Sequence, residues 1–150
     1  AYIPSEYAHI TLQTHRRYFK KVIIFDDVSE IKAPILKVTM NWQNFDETQF
    51  YDVARQALGD SVHITETGTG AIDIVAAGVN KAIGLKMLAD NLGISMANIA
   101  AFGDGENDLE MLMAVGQPFI MPDASITGPF NPVSADNNHA GVLKTILDMI

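Results

Sequence analysis

The densest group of chemically competent side chains is the run Ala101-Phe102-Gly103-Asp104-Gly105-Glu106-Asn107-Asp108. An apolar stretch ends there in a glycine-flanked acidic turn that opens a helix. In an open α/β sheet, ligands bind beyond the carboxyl ends of the strands, and Asp104 would sit at such an end. Glycines on both sides of it let the backbone turn tightly and approach a ligand. Carboxylate oxygens suit Mg²⁺, which is usually held by one or two carboxylates while water and substrate phosphate complete its shell. Asp104 is the expected direct ligand. Asp108, one helical turn on, could bind the metal, orient its waters or cap the turn. A helix N-terminus whose acidic residues complement the dipole would account for Asp104 or Glu106 alone. It accounts less well for four polar residues and two glycines behind a buried strand. Lys81 is the second element, following Asn80 at the start of a helix. Free N–H groups there attract anions, and an ammonium would strengthen phosphate binding. An exposed surface lysine is the plain alternative.

Other patterns lead nowhere. Gly68-Thr69-Gly70 begins like a dinucleotide fingerprint, but no third glycine follows and the next residues alternate like a strand. Asp104 to Asp108 begins like a calcium loop, but Leu109 stands where glycine is needed and Val115 where glutamate is needed. His9, His15, His63 and His139 show no metal-ligand spacing, and no Gly-x-Ser-x-Gly elbow is present. The 150 residues carry 48% hydrophobic and 19% charged side chains, a globular composition. The net charge of −8 argues against nucleic acid or an anionic membrane as the main partner, while leaving a small phosphorylated metabolite open. With no cysteine there is no disulfide framework and no thiolate site, which suits a cytoplasmic protein. No apolar run approaches the roughly 18–20 residues of a spanning helix, and the N-terminus lacks the pattern of a signal peptide.

The elements that must position these residues follow from periodicity. Residues 1–33 read poorly, apart from a strand at Val22 to Phe25 that Asp26-Asp27 turns. Leu36, Val38, Met40 and Trp42 alternate with polar residues, which predicts a half-buried strand. Asp46 and Gln49 have capping-box spacing ahead of a helix carrying Phe50, Val53, Ala54, Ala57 and Leu58, with Gly59 as its stop. Val62 to Glu66 and Ile72 to Ala76, joined through Gly68-Thr69-Gly70, predict a hairpin. Beyond Gly78 the pattern changes. Lys81 to Leu92 is a helix with Leu85, Leu88, Ala89 and Leu92 on one face, ended by Gly93. Ile99 to Phe102 is a strand expected to be buried on both faces. A helix over 106–115, a strand at Pro118 to Met121, a short strand at Val133 to Ala135 and a helix from Gly141 to Ile150 complete the chain. Helix–strand alternation predicts an α/β fold: part of a doubly wound parallel sheet over 79–150, with part of an α+β domain over 1–78.

Taken together, Gly78-Val79-Asn80-Lys81, Gly103-Asp104-Gly105-Glu106-Asn107-Asp108 and Asn137-Asn138-His139-Ala140-Gly141-Val142 resemble the haloacid dehalogenase superfamily. More narrowly they resemble its Cof-like sugar-phosphatase branch, which carries a large α/β cap. The resemblance implies that 1–78 is the end of the cap and 79–150 the second half of the catalytic core. It implies that Lys81 neutralises the phosphoryl group, that Asp104 with Asp108 serves Mg²⁺, and that Asn107 contacts substrate phosphate. His139 stands at a polar position of the last loop.

One departure is large. The family's first motif, an apolar strand ending in Asp-x-Asp-Gly-x-Thr, supplies the nucleophile and the general acid, and its second motif supplies a phosphate-binding Ser or Thr. Neither is found here. Val22 to Ser29 is the nearest imitation, but Asp26-Asp27 lacks the spacing and the tail. The expectation is therefore a C-terminal portion of a longer phosphatase, inactive by itself, whose nucleophilic aspartate lies upstream. The parent would hydrolyse a sugar or nucleotide phosphate through an aspartyl-phosphate, with the cap choosing the leaving group by residues around Tyr51, His63 and Thr67 to Gly70. The competing expectations are a non-catalytic phosphate- and metal-binding module, and a fragment that associates with a partner chain through exposed sheet edges.

Overall fold

The computed structural model describes residues 1–41, 47–66 and 71–150. Trp42, the Asp46–Gln49 capping box and the turn at Thr67 to Gly70 lie outside the described residues and side chains. The chain divides into two units, residues 1–35 and 36–150.

In the first unit, strands β1 (Tyr2–Pro4) and β2 (Ile23–Phe25) pair in parallel, with Ile3 opposite Ile24. Parallel strands need a crossover, and helix α1 (Ser5–Tyr18) provides it. β2 falls where the Val22 to Phe25 run places it. α1 does not follow from the sequence pattern, and the reason is visible: none of its residues is buried. Its apolar residues are few and stand among polar ones, with Tyr7 and Ile10 themselves exposed. After β2 the chain turns through Asp26 and Asp27 into a 3-10 turn, Val28–Glu30.

The second unit opens with strand β3 (Lys37–Asn41), helix α2 (Glu47–Leu58) and strands β4 (Val62–Glu66) and β5 (Ala71–Ala76). The three strands form an antiparallel sheet in the order β3-β5-β4, and β4 and β5 are the expected hairpin arms. Val38, Ile74 and Ile64 stand in one row across it. Ala54 of α2 packs with Ile64 and Ile72 on this face, joined by Phe50 and Tyr51. The apolar side of β3 is less covered than its alternation predicts, with Val38 44% exposed. β3 is an edge strand, and the cluster under α2 is built on β4 and β5. Val53 and Leu58 of the helix are exposed for a related reason: the buried stripe runs through Phe50, Tyr51 and Ala54.

Gly78, at a φ of 75°, turns the chain toward helix α3 (Lys81–Leu92). The bounds of α3 are those set by its caps. The Asn80 side chain accepts from the Ile83 N–H at 2.9 Å, and Gly93 closes the helix in the left-handed conformation. Strand β6 (Ala100–Gly103), helix α4 (Leu109–Ala114), strands β7 (Gln117–Ile120) and β8 (Asn131–Pro132) and helix α5 (Gly141–Met149) follow. β6, β7 and β8 form a parallel sheet in that order. The helix expected over 106–115 divides into a 3-10 turn, Glu106–Asp108, and α4, and the last strand lies just before Val133. Ala101, Leu112 and Val115 form the core here, with Leu85, Met96 and Ile99 packed on it. β6 is thus well buried on the α4 side. Phe102 points to the other face, where it stacks on Phe119 at 4.9 Å and stays half-buried. Leu88 and Leu92 of α3 are exposed, and among the described residues β6 pairs with β7 alone. No helix among the described residues is long and apolar enough to cross a membrane.

Candidate functional site

The turn after β6 is built around one side chain. Asp108 is only 4% exposed. Its Oδ2 accepts from the backbone N–H groups of Asp104 at 3.0 Å and Gly105 at 3.3 Å. Its Oδ1 accepts from the Lys81 ammonium. A residue 27 positions earlier is thereby fixed onto the acidic turn. Burial pushes the Asp108 carboxyl up, but the Lys81 ammonium and the two backbone N–H groups outweigh it and hold the group below its ordinary value.

Gly103 makes this seat possible. A Cβ there would lie 2.6 Å from Asp108 Cβ and 2.9 Å from its Cγ. The glycines of the turn therefore act differently from the sequence expectation. Neither Gly103 nor Gly105 has a positive φ, and the need at 103 is for space. The Asp104 backbone is held from the other side as well, its carbonyl accepting from the Ser125 N–H at 2.8 Å.

Asp104 itself is exposed, and its carboxylate makes no hydrogen bond or ion pair among the described residues. The same holds for the Asn107 side chain, which lies beside Gly105. The four residues singled out by spacing are brought together, but in two classes. Asp108 and Lys81 are engaged with the protein, while Asp104 and Asn107 are free to take a ligand. Among the described residues no group of three or more His, Cys, Asp or Glu side chains surrounds a possible metal position. One free carboxylate at a strand end still fits Mg²⁺, whose remaining positions water and phosphate fill. Asp104 offers such a carboxylate unengaged, whereas both Asp108 oxygens already accept from donors of the protein.

The antiparallel sheet meets this turn. The Glu66 N–H of β4 donates to the Glu106 carboxylate at 3.4 Å, and His63 Nε2 lies 3.4 Å from Glu110 Oε1. Tyr51 donates its hydroxyl to the Ile64 carbonyl at 3.2 Å and carries Arg55 over its ring. Burial raises the Tyr51 phenol, and the Glu106 carboxylate raises it further. His139 stands apart from these contacts. Its ring Nδ1 and its backbone N–H both meet Asp136 Oδ1, at 2.6 and 3.0 Å, so it belongs to the local cap before α5. Asp27 is likewise a local cap, accepting from the Ser29 N–H at 2.7 Å.

The family model for haloacid dehalogenase-like hydrolases matches residues 1–146. The 5-amino-6-(5-phospho-D-ribitylamino)uracil phosphatase of Escherichia coli K12 is 30% identical over 148 residues, covering 97% of this chain and 55% of that protein. A solved structure from Streptococcus mutans UA159 superposes with a TM-score of 0.85 at 23% identity, over 99% of this chain and 57% of that one. A sugar phosphatase of subclass IIB superposes with a TM-score of 0.78 at 16% identity, over 99% of this chain and 56% of that one. The chain spans about half the length of these relatives.

Proposed function

Since the chain belongs to the haloacid dehalogenase-like hydrolases, we propose that it forms the phosphate- and metal-binding half of a Mg²⁺-dependent phosphatase site for a small sugar or nucleotide phosphate. The observation that carries this reading is the Lys81–Asp108 contact. It fixes a cation beside a turn whose other carboxylate, on Asp104, is free. Each residue then has a distinct task. Asp104 holds the metal, and Lys81 and the Asn107 amide donate to phosphate oxygens. Asp108 positions Lys81 and the Asp104 backbone. Bound Mg²⁺ would neutralise charge on the transferring phosphoryl group. The attacking aspartate comes from sequence outside this chain. It displaces the leaving alcohol to give an aspartyl-phosphate, which water then hydrolyses. The name of the Escherichia coli relative, a phosphatase acting on a phosphorylated ribityl compound, supports a small phosphorylated metabolite as substrate.

In this reading residues 1–78 belong to the cap and 79–150 to the catalytic core, with the boundary at Gly78. A second reading is a module without turnover that assembles with another chain. The edge of β6, unpaired among the described residues, and the exposed Leu88 and Leu92 favour an added strand there, whichever chain supplies it. One experiment separates the two. The 150-residue chain and its complete reading-frame product are assayed for Mg²⁺-dependent phosphate release from an aryl phosphate, each with and without Asp104→Asn. Activity confined to the longer product and lost on substitution is the expected result. Activity in neither removes the phosphatase reading, and activity in the short chain removes the claim that its nucleophile lies elsewhere.

A further inference from the structure

The two edges of the antiparallel sheet differ. β4 is engaged by the segment around Asp108, through the Glu66 N–H on Glu106 and through His63 beside Glu110. β3 pairs with β5 alone among the described residues. Val38 on it is 44% exposed, and Ile35 and Leu36 just before it are exposed as well.

Free strand edges are ordinarily blunted by a proline, a bulge or an unpaired charge. β3 carries none of these. Its five residues, Lys-Val-Thr-Met-Asn, include no proline and pair with β5 in unbroken register. Its one charged residue is Lys37, whose ammonium is tied to Asp73 at 2.8 Å. The strand is also complementary to itself. Two copies paired antiparallel about a two-fold axis oppose residues of the same face. With the axis at Thr39, all five residues are used. Thr39 then meets its own mate, a favourable cross-strand pair, and Val38 meets Met40 twice. Val38 and Met40 stand opposite Ile74 and Ile72, on the face where α2 packs. The new pairs therefore continue an apolar surface already begun. The two Lys37 side chains fall at opposite ends of the pairing, so no like charges face each other.

We propose that β3 is a self-association edge, where a second copy of this chain adds its own β3 in antiparallel register centred on Thr39. The result is a continuous antiparallel sheet with three strands from each copy. This interface does not depend on the phosphatase reading.

The 150-residue chain is measured by sedimentation velocity at high micromolar concentration, where twice the mass of one chain is expected. Val38→Lys combined with Met40→Lys opposes like charges at both apolar pairs and raises the dimer dissociation constant at least about tenfold. Val38→Glu combined with Met40→Lys opposes unlike charges in the same register and restores the dimer. The chain has no cysteine, so a single introduced thiol reports position. Thr39→Cys sits on the axis, where opposed Cα atoms of an antiparallel pair lie about 4.5–5.5 Å apart, within disulfide reach. It cross-links under mild oxidation, whereas Lys37→Cys, far from its mate, does not. A monomer at these concentrations overturns the proposal. So does a dimer indifferent to the two lysines, one that the unlike charges fail to restore, or a Lys37→Cys cross-link as ready as that of Thr39→Cys. Should the variant with two lysines not fold, the two cysteine variants decide alone.

Discussion

Two turns in the molecule share one local grammar. After β2, Glu30 Oε1 accepts from the N–H groups of Asp26 and Asp27, at 3.1 and 2.8 Å. After β6, Asp108 Oδ2 accepts from the N–H groups of Asp104 and Gly105, at 3.0 and 3.3 Å. In each case an acidic residue ties down the first two N–H groups beyond a short apolar strand, and a 3-10 turn follows. The differences are two. Asp108 has a shorter side chain than Glu30 and must come closer to the strand, so the residue before the turn is Gly103 in one case and Phe25 in the other. The second Asp108 oxygen meets Lys81, whereas Glu30 is exposed and its described contacts are these two N–H groups. An acidic turn after a strand is thus common backbone chemistry. What sets the second apart is a cation delivered from α3 and a glycine that lets the carboxylate sink.

Removing that cation tests the distinction most severely. Lys81→Met leaves the turn with the same backbone bonds as its counterpart after β2. In the complete reading-frame product, kcat/KM on an aryl phosphate should fall by about 10²–10³, the scale for losing one preorganised donor to a developing anion. A loss below about tenfold would mean that the lysine is not part of the site and that the two turns differ only in burial.

Gly103→Ala attacks the other distinction. The new Cβ would meet Asp108 Cβ at 2.6 Å, and overpacking of this kind typically costs about 1–3 kcal/mol. Displacing Asp108 by about 1 Å also misplaces Lys81 and Asp104, with an expected loss of about 10² in kcat/KM. Gly105→Ala is the matched control, because its Cβ would meet only the Asn107 Oδ1 tip at 3.2 Å. Melting curves and initial rates for the two variants should separate clearly.

The same contrast explains what the sequence discloses. α3 was legible to the residue because its limits are local: Asn80 caps one end and Gly93 the other. The β4–β5 arms were legible because alternation is local too. α1 was not, since its few apolar residues stand scattered in a polar run. The Lys81–Asp108 contact crosses 27 residues and a strand; spacing alone marks both ends as anion- or metal-friendly, and the family resemblance is what joins them. The sequence allows Asp108 metal binding, water orientation or capping alike, because it does not show which way a carboxylate folds back.

The finest test compares the two carboxylates directly. Asp108→Ala and Glu30→Ala each strip the acceptor from two equivalent N–H groups. After β6 those groups are shielded, and leaving them unpaired should cost about 1–3 kcal/mol. After β2 water can replace an exposed acceptor, so the loss should stay under about 1 kcal/mol. Acid sharpens the comparison. The Asp108 carboxyl is held below its ordinary value of 3.8, so its contribution is complete above that value and fades as pH falls through the lower folded-state value. The melting-temperature gap between unsubstituted protein and Asp108→Ala should therefore shrink from about pH 7 to about pH 3. Equal losses for the two alanine variants at neutral pH would show that burial does not distinguish the turns, leaving the Lys81 ammonium as the whole of the difference.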